Sequence, residues 1–244
     1  MATFDLLLVA LSLALTAFFY TMAGFAGGSL FTALLLLVGL TGGEAASGGL
    51  IFNIFSATSS LTRWKVHIAR EFLWFLVGSV PAAFLAGLLV LPDFTLRIVM
   101  GLVIAIGGFA VMLATYPLRI VKVGASLKVV VGALVGVVAG LTGIGGGVYL
   151  APVLILVGMA KPKTTAATTT IFILLNSISG TIARIPRMGT LISNPLLLVA
   201  IPVVIVAAQF GSYMGSRRLT QTNVRRVIGG GLITVGLYIT ATSI

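Results

Sequence analysis

The stretch Gly140-Leu-Thr-Gly-Ile-Gly-Gly-Gly-Val-Tyr-Leu-Ala-Pro152 sets five glycines and a proline inside a long apolar run. Within a helix, glycine costs roughly 1 kcal/mol and proline about 3 kcal/mol against alanine. A chain that breaks its own helix at this point needs a use for the exposed backbone. The composition says what surrounds it. Of 244 residues, 59% are hydrophobic and 8% charged, with a mean hydropathy of +1.22. A soluble domain carries about 25% charged residues. A fold of this size cannot hide that much apolar surface from water, so the chain reads as an integral membrane protein. Its apolar segments are long and do not alternate with polar residues, which selects helices over a barrel. Residues 4–22 read as a retained helix and not as a signal peptide, because Asp5 and no basic residue stands at the start of the first apolar run.

Ten apolar segments can be marked: 4–22, 27–41, 46–62, 72–92, 96–115, 127–142, 146–159, 164–183, 190–211 and 223–243. A full crossing needs about 20 apolar residues. The second and seventh are short, and each follows a glycine cluster. They also match one another. Ala23–Gly39 aligns without gaps on Thr142–Gly158, so that Gly24, Gly27, Gly28 and Val38-Gly39 recur as Gly143, Gly146, Gly147 and Val157-Gly158. Pro81 then corresponds to Pro202, and Arg97 with Gly101 to Arg226 with Gly230. The chain is an internal duplication of a first membrane repeat, 1–122, and a second, 123–244.

An odd number of segments per copy inverts the second copy in the membrane. Loop charges test this. With ten crossings, one side collects Arg63, Lys65, Arg70, Arg119, Lys122, Lys128, Lys161, Lys163, Arg217, Arg218, Arg225 and Arg226, and the other Arg97, Arg184 and Arg187. That asymmetry is the positive-inside pattern and places both termini outside. If 27–41 and 146–159 are re-entrant instead, the bias disappears. The expected fold is therefore an all-α polytopic membrane protein: two inverted repeats of about five helical segments each, with helices broken at the glycine clusters. Inverted repeats with short, interrupted helices in matching positions are the pattern of secondary transporters, and the interrupted pair marks the binding site.

In lipid, irregular backbone survives only where protein or a water-filled cavity satisfies it. A helix restarting after Gly143–Gly147 offers free N–H groups and about half a positive charge, the ingredients of an anion site. The first copy offers the same at Gly24, Gly27 and Gly28, with the Ser29 hydroxyl beside them; Gly143, Gly145, Gly146 and Gly147 serve in the second. The competing explanation is that these glycines only let helices pack closely. Of the polar residues inside segments, Asn53, Asn176 and Gln209 are the costliest to bury and the best site candidates, since an amide donates two hydrogen bonds without carrying charge. Thr168 and Thr169 join them from the polar run of the eighth segment. Arg184, an exception to the inside bias, is expected to line an outer vestibule and attract anions.

Other chemistries are excluded or disfavoured. The net charge of +11 is read as loop residues orienting the chain and not as a nucleic-acid surface. There is no cysteine, a lone His67, and four dispersed acids, Asp5, Glu44, Glu71 and Asp93. Neither a metal site, a cofactor nor a catalytic set follows from these. Glu44 is the one acid near enough to the short segments to serve a proton relay; otherwise the protein runs by facilitated diffusion or exchange.

The second-copy motif GLTGIGGGVYLAPVLILVG, the weaker first copy AGFAGGSLFTALLLLVG and the run Ala166-Ala-Thr-Thr-Thr resemble the sulfite exporter TauE/SafE family over nearly the whole chain. Ala26 stands where the second copy has Gly145, and Ala33 where it has Pro152. The resemblance implies a bacterial inner-membrane permease for small sulfur-containing anions such as sulfite, sulfoacetate or related organosulfonates. The alternatives at this point are a channel-like anion conduit and a non-transporting membrane subunit.

Overall fold

The computed structural model describes residues 3–113, 121–192, 194–217, 233–234 and 236–242. Arg119, Arg218, Arg225, Arg226 and Gly230, and most of the tenth segment, lie outside them. Among the described residues every regular element is helical. In chain order these are α1 Thr3–Met22, α2 Gly28–Leu37, α3 Gly42–Trp64, α4 Trp74–Leu88, α5 Asp93–Leu113, α6 Ala125–Thr142, α7 Gly147–Leu156, α8 Pro162–Arg184, the single turn α9 Gly189–Ile192, and α10 Pro195–Arg217. The ninth apolar segment, expected over 190–211, is divided between α9 and α10. Asn194 and Pro195 cause the division: the Asn194 side chain accepts the Leu196 N–H, and proline suits a helix start.

Among the described residues, five helices are long and apolar enough to cross a membrane by themselves: Arg70–Leu88, Asp93–Leu113, Ala125–Thr142, Pro162–Arg187 and Pro195–Arg217. The chain is a multi-pass membrane protein. The α3 helix has the length, 23 residues, but glycine, serine and threonine flank its apolar centre and Asn53 interrupts it. At 10 residues each, α2 and α7 measure about 15 Å, half of a hydrocarbon core about 30 Å thick.

The contacts show how these half-length helices are completed. The Trp64 indole N–H donates to the Thr21 carbonyl, so α1 ends beside the end of α3. The chain then returns along α3 in irregular glycine-rich backbone. The Ala26 carbonyl meets Ser56, Gly28 meets Asn53, and one helical turn later Thr32 meets Gly49. Residues 23–27 and α2 together therefore travel from one end of the bundle to the other. The second break runs likewise from Gly143, packed on Ala46, to Gly147 on Ile173.

Trp64 clusters with Ala166 and Ala167 at the start of α8, whereas Leu50 packs on Gly180 near its end. Thus α3 and α8 lie antiparallel across the centre. The outer pairing is reciprocal: α4 lies along α6, and α1 along α10. Glycine makes both contacts possible. A Cβ on Gly132, Gly136 or Gly140 of α6 would overlap the carbonyls of Phe75, Ser79 or Ala83 of α4. A Cβ on Gly211 or Gly215 of α10 would overlap those of Phe18 or Met22. Spaced four apart, these small residues let backbones touch, as close helix pairs in lipid require.

The geometry also sorts the basic residues. Arg63 and Arg217 share the Tyr213 ring at 5.3 and 4.8 Å, and Lys161 and Lys163 sit at the α8 start beside Trp64. Arg97 bonds the Leu40 carbonyl at the opposite end, where α8 finishes with Arg184. In the cysteine-free chain, Gly43→Cys and Lys161→Cys should react with an impermeant thiol reagent from opposite sides of a vesicle membrane. Labelling of both from one side would contradict the antiparallel seating of α3 and α8.

Candidate functional site

Two helices begin in the middle of the bundle. Gly27, the N-cap of α2, has φ 110°, and Gly146, the N-cap of α7, has φ 80°. Gly24, Gly143 and Gly145 also lie in the left-handed region, at φ 82°, 71° and 78°. An L-residue is disfavoured there. These glycines therefore turn the chain, unlike those of the α4–α6 contact. Neither N-cap carries a side-chain bond, which leaves the first N–H groups of α2 and α7, with the positive ends of two helix dipoles, deep in the protein.

The long helices supply the polar groups at this depth. Asn53 of α3 is fully buried, and its Nδ2 donates to the Ile144 carbonyl at 3.3 Å. A Cβ on Gly28 would overlap both ends of the Asn53 amide, Nδ2 more closely than Oδ1 at 2.7 Å, and one on Gly145 would lie 2.8 Å from Nδ2. One amide thus fills the space that the glycines of both breaks leave open. Ser177 Oγ approaches Gly145 from α8, and a Cβ there would stand 2.9 Å away. Asn53 Oδ1 and Ser177 Oγ are both buried without a hydrogen-bond partner.

The remaining expected residues divide into those at the breaks and those elsewhere. Thr169 Oγ1 donates to the Gly24 carbonyl at 2.8 Å, and Thr170 does the same at 3.0 Å. Ser29 hydrogen-bonds the Tyr20 hydroxyl at 3.1 Å. Gly147 packs on Ile173 and Gly146 on the Phe172 ring. Asn176 is buried, with Nδ2 on the Phe172 carbonyl at 2.8 Å and Oδ1 unpartnered; Thr168 Oγ1 is buried and unpartnered too. Gln209 lies apart, where its Oε1 accepts from Ser59 and Thr62 near the end of α3. Arg184 is 4% exposed and donates through Nη2 to the Gly140 and Leu141 carbonyls at 2.8 and 2.9 Å. It caps the negative end of α6, where a cation is favoured. Arg187 does the same for α4 through the Gly87 and Leu89 carbonyls. Glu44 forms a capping box with Thr41 at the start of α3.

The sequence reading passed over Ser56, Thr170 and Ser177 as site residues. Their type was visible within polar segments, but the break each would face was not. The polar residues concentrate around the two helix starts. A groove of about 550 Å³ between α4 and α8, by contrast, is lined almost wholly by apolar side chains such as Pro81, Phe84 and Ile178, and holds nothing for a charged ligand.

Gly145→Ala and Gly39→Ala separate backbone strain from occupied space. Both glycines have positive φ, 78° and 90°, yet a Cβ on Gly39 meets nothing within 4 Å. The shared strain is about 1–2 kcal/mol. Gly145→Ala should lower the melting temperature of the purified protein in detergent well beyond Gly39→Ala. Equal shifts would show that Asn53 and Ser177 do not crowd the second break.

The sequence profile of the family described as Sulfite exporter TauE/SafE matches residues 8–239. Among curated proteins, the chain is similar to "Probable membrane transporter protein y4hK" of Sinorhizobium fredii (strain NBRC 101917 / NGR234). The two are 29% identical over 241 residues, which cover 94% of this chain and 96% of that one. No solved structure matches the chain.

Proposed function

The chain belongs to the sulfite exporter TauE/SafE family, and from that premise we propose a secondary transporter that moves small sulfur-containing anions by alternating access. Sulfite, sulfoacetate and related organosulfonates are the proposed substrates. Residues 1–122 and 123–244 act as two inverted repeats, in a bacterial inner membrane with both termini on the outer face. The observation that carries the proposal is the convergence of the start of α2 and the break before α7 on one buried amide, Asn53.

The mechanism follows from that arrangement. N–H groups of α2 and α7 receive the anion's oxygens, and the two dipoles offset its charge without a lysine or arginine. Inversion gives the two halves opposite orientations about one site. The antiparallel pair α3 and α8 and the reciprocal pairs α1–α10 and α4–α6 support this reading. Rocking of one half against the other would open the site to each face in turn. The groups proposed to line the path are Gly24, Gly27, Gly28, Ser29, Asn53, Gly143, Gly145, Gly146, Gly147, Thr168, Thr169 and Asn176. Gln209 and Arg184 act farther out.

Uptake of labelled sulfite into proteoliposomes, with and without unlabelled sulfite inside, tests the proposal. A carrier gives saturable uptake that internal sulfite accelerates. Uptake that internal sulfite leaves unchanged identifies a pore. Uptake equal to that of empty vesicles removes the transport reading.

A further inference from the structure

The two buried asparagines direct their amide donors to backbone carbonyls. The nitrogen of Asn53 faces the Ile144 carbonyl at 3.3 Å, and that of Asn176 faces the Phe172 carbonyl at 2.8 Å. Turning either amide over would set oxygen against oxygen, so the neighbouring carbonyls fix both orientations. The oxygens are left facing away, buried and without a donor. A site built only for a bare oxyanion would turn donors inward. This one, around Asn53 Oδ1 and the start of α2, combines backbone N–H donors with a fixed acceptor.

Resting on the transport reading above but narrowing its substrate class, we propose that the site selects a monoanion that carries a proton of its own, hydrogen sulfite in preference to the sulfite dianion and to the sulfonates. Its O–H donates to Asn53 Oδ1 while its other oxygens accept from the N–H groups of α2 and α7. Sulfite and sulfate dianions offer that oxygen only lone pairs, and so does methanesulfonate, a monoanion without O–H. Charge argues the same way. Two helix ends supply partial positive charge, whereas the Arg184 guanidinium donates through Nη2 to the Gly140 and Leu141 carbonyls at the end of α6. The acids on packed elements, Glu44 and Asp93, are held at the start of α3 and at the α2–α3 elbow. The phenols of Tyr20 and Tyr149 carry no charge near neutral pH. The pH dependence therefore belongs to the substrate.

Two readouts test the proposal. In proteoliposomes with equal pH on both sides, KM for total sulfite should rise above neutral pH as the hydrogen sulfite fraction falls, by about tenfold per pH unit. Methanesulfonate and sulfate should compete poorly. Asn53→Leu should flatten that slope and admit methanesulfonate. In detergent, total sulfite should raise the melting temperature of the wild-type protein at pH 6 far more than at pH 8.5. Saturable flux with a pH-independent KM, or equal competition by methanesulfonate, overturns the proton requirement and leaves transport standing. Stabilisation at pH 6 without flux preserves the selection and removes transport. Neither flux nor stabilisation at any pH overturns both. The wild-type profiles decide the matter even where Asn53→Leu fails to fold.

Discussion

Backbone carbonyls left open at two helix breaks inside a membrane-embedded bundle are the constraint on which the rest of this structure depends. In hydrocarbon an unsatisfied carbonyl costs several kcal/mol. Each break is therefore met by a polar side chain from a long neighbouring helix. Thr169 and Thr170 of α8 serve Gly24, Ser56 of α3 serves Ala26, and Asn53 of α3 serves Ile144. Asn53 and Ser56, two of the residues that make α3 polar for a membrane helix, thus answer the breaks beside it.

Glycine has two separate uses here. At the breaks it supplies left-handed backbone, as at Gly27 and Gly146. Along α6 and α10 it occurs inside regular helix, where the missing Cβ lets α4 and α1 approach to backbone contact. Close packing, one of the two alternatives posed by the sequence, holds for the glycines of α6 and α10, whereas those at the breaks turn the chain. Local conformation separates them: only a residue that ends or restarts a helix needs positive φ.

The basic residues show how far a pattern reaches. Counting ten segments predicts that they sort into two groups, and among the described residues Arg63, Lys161, Lys163 and Arg217 lie at one end of the bundle and Arg97, Arg184 and Arg187 at the other. Why Arg184 and Arg187 stand at the sparsely charged end was not legible. Their cause is the pair of helix C-termini they cap, and those carbonyls belong to α6 and α4, residues distant in sequence or across a turn.

By itself the sequence determined that the chain is a helical membrane protein, that two short segments restart after glycine clusters, and that Asn53 and Asn176 are polar groups buried at a cost. Composition and spacing carry this information because lipid penalises charge and irregular backbone wherever they occur. The tertiary structure decided which polar group meets which break. Asn53 reaches a carbonyl 91 residues away, while Gln209, equally polar, is spent on Ser59 and Thr62. Spacing fixes the face of a helix on which a residue lies. The neighbour opposite that face follows from the antiparallel seating of α3 against α8, which depends on packing across the whole bundle.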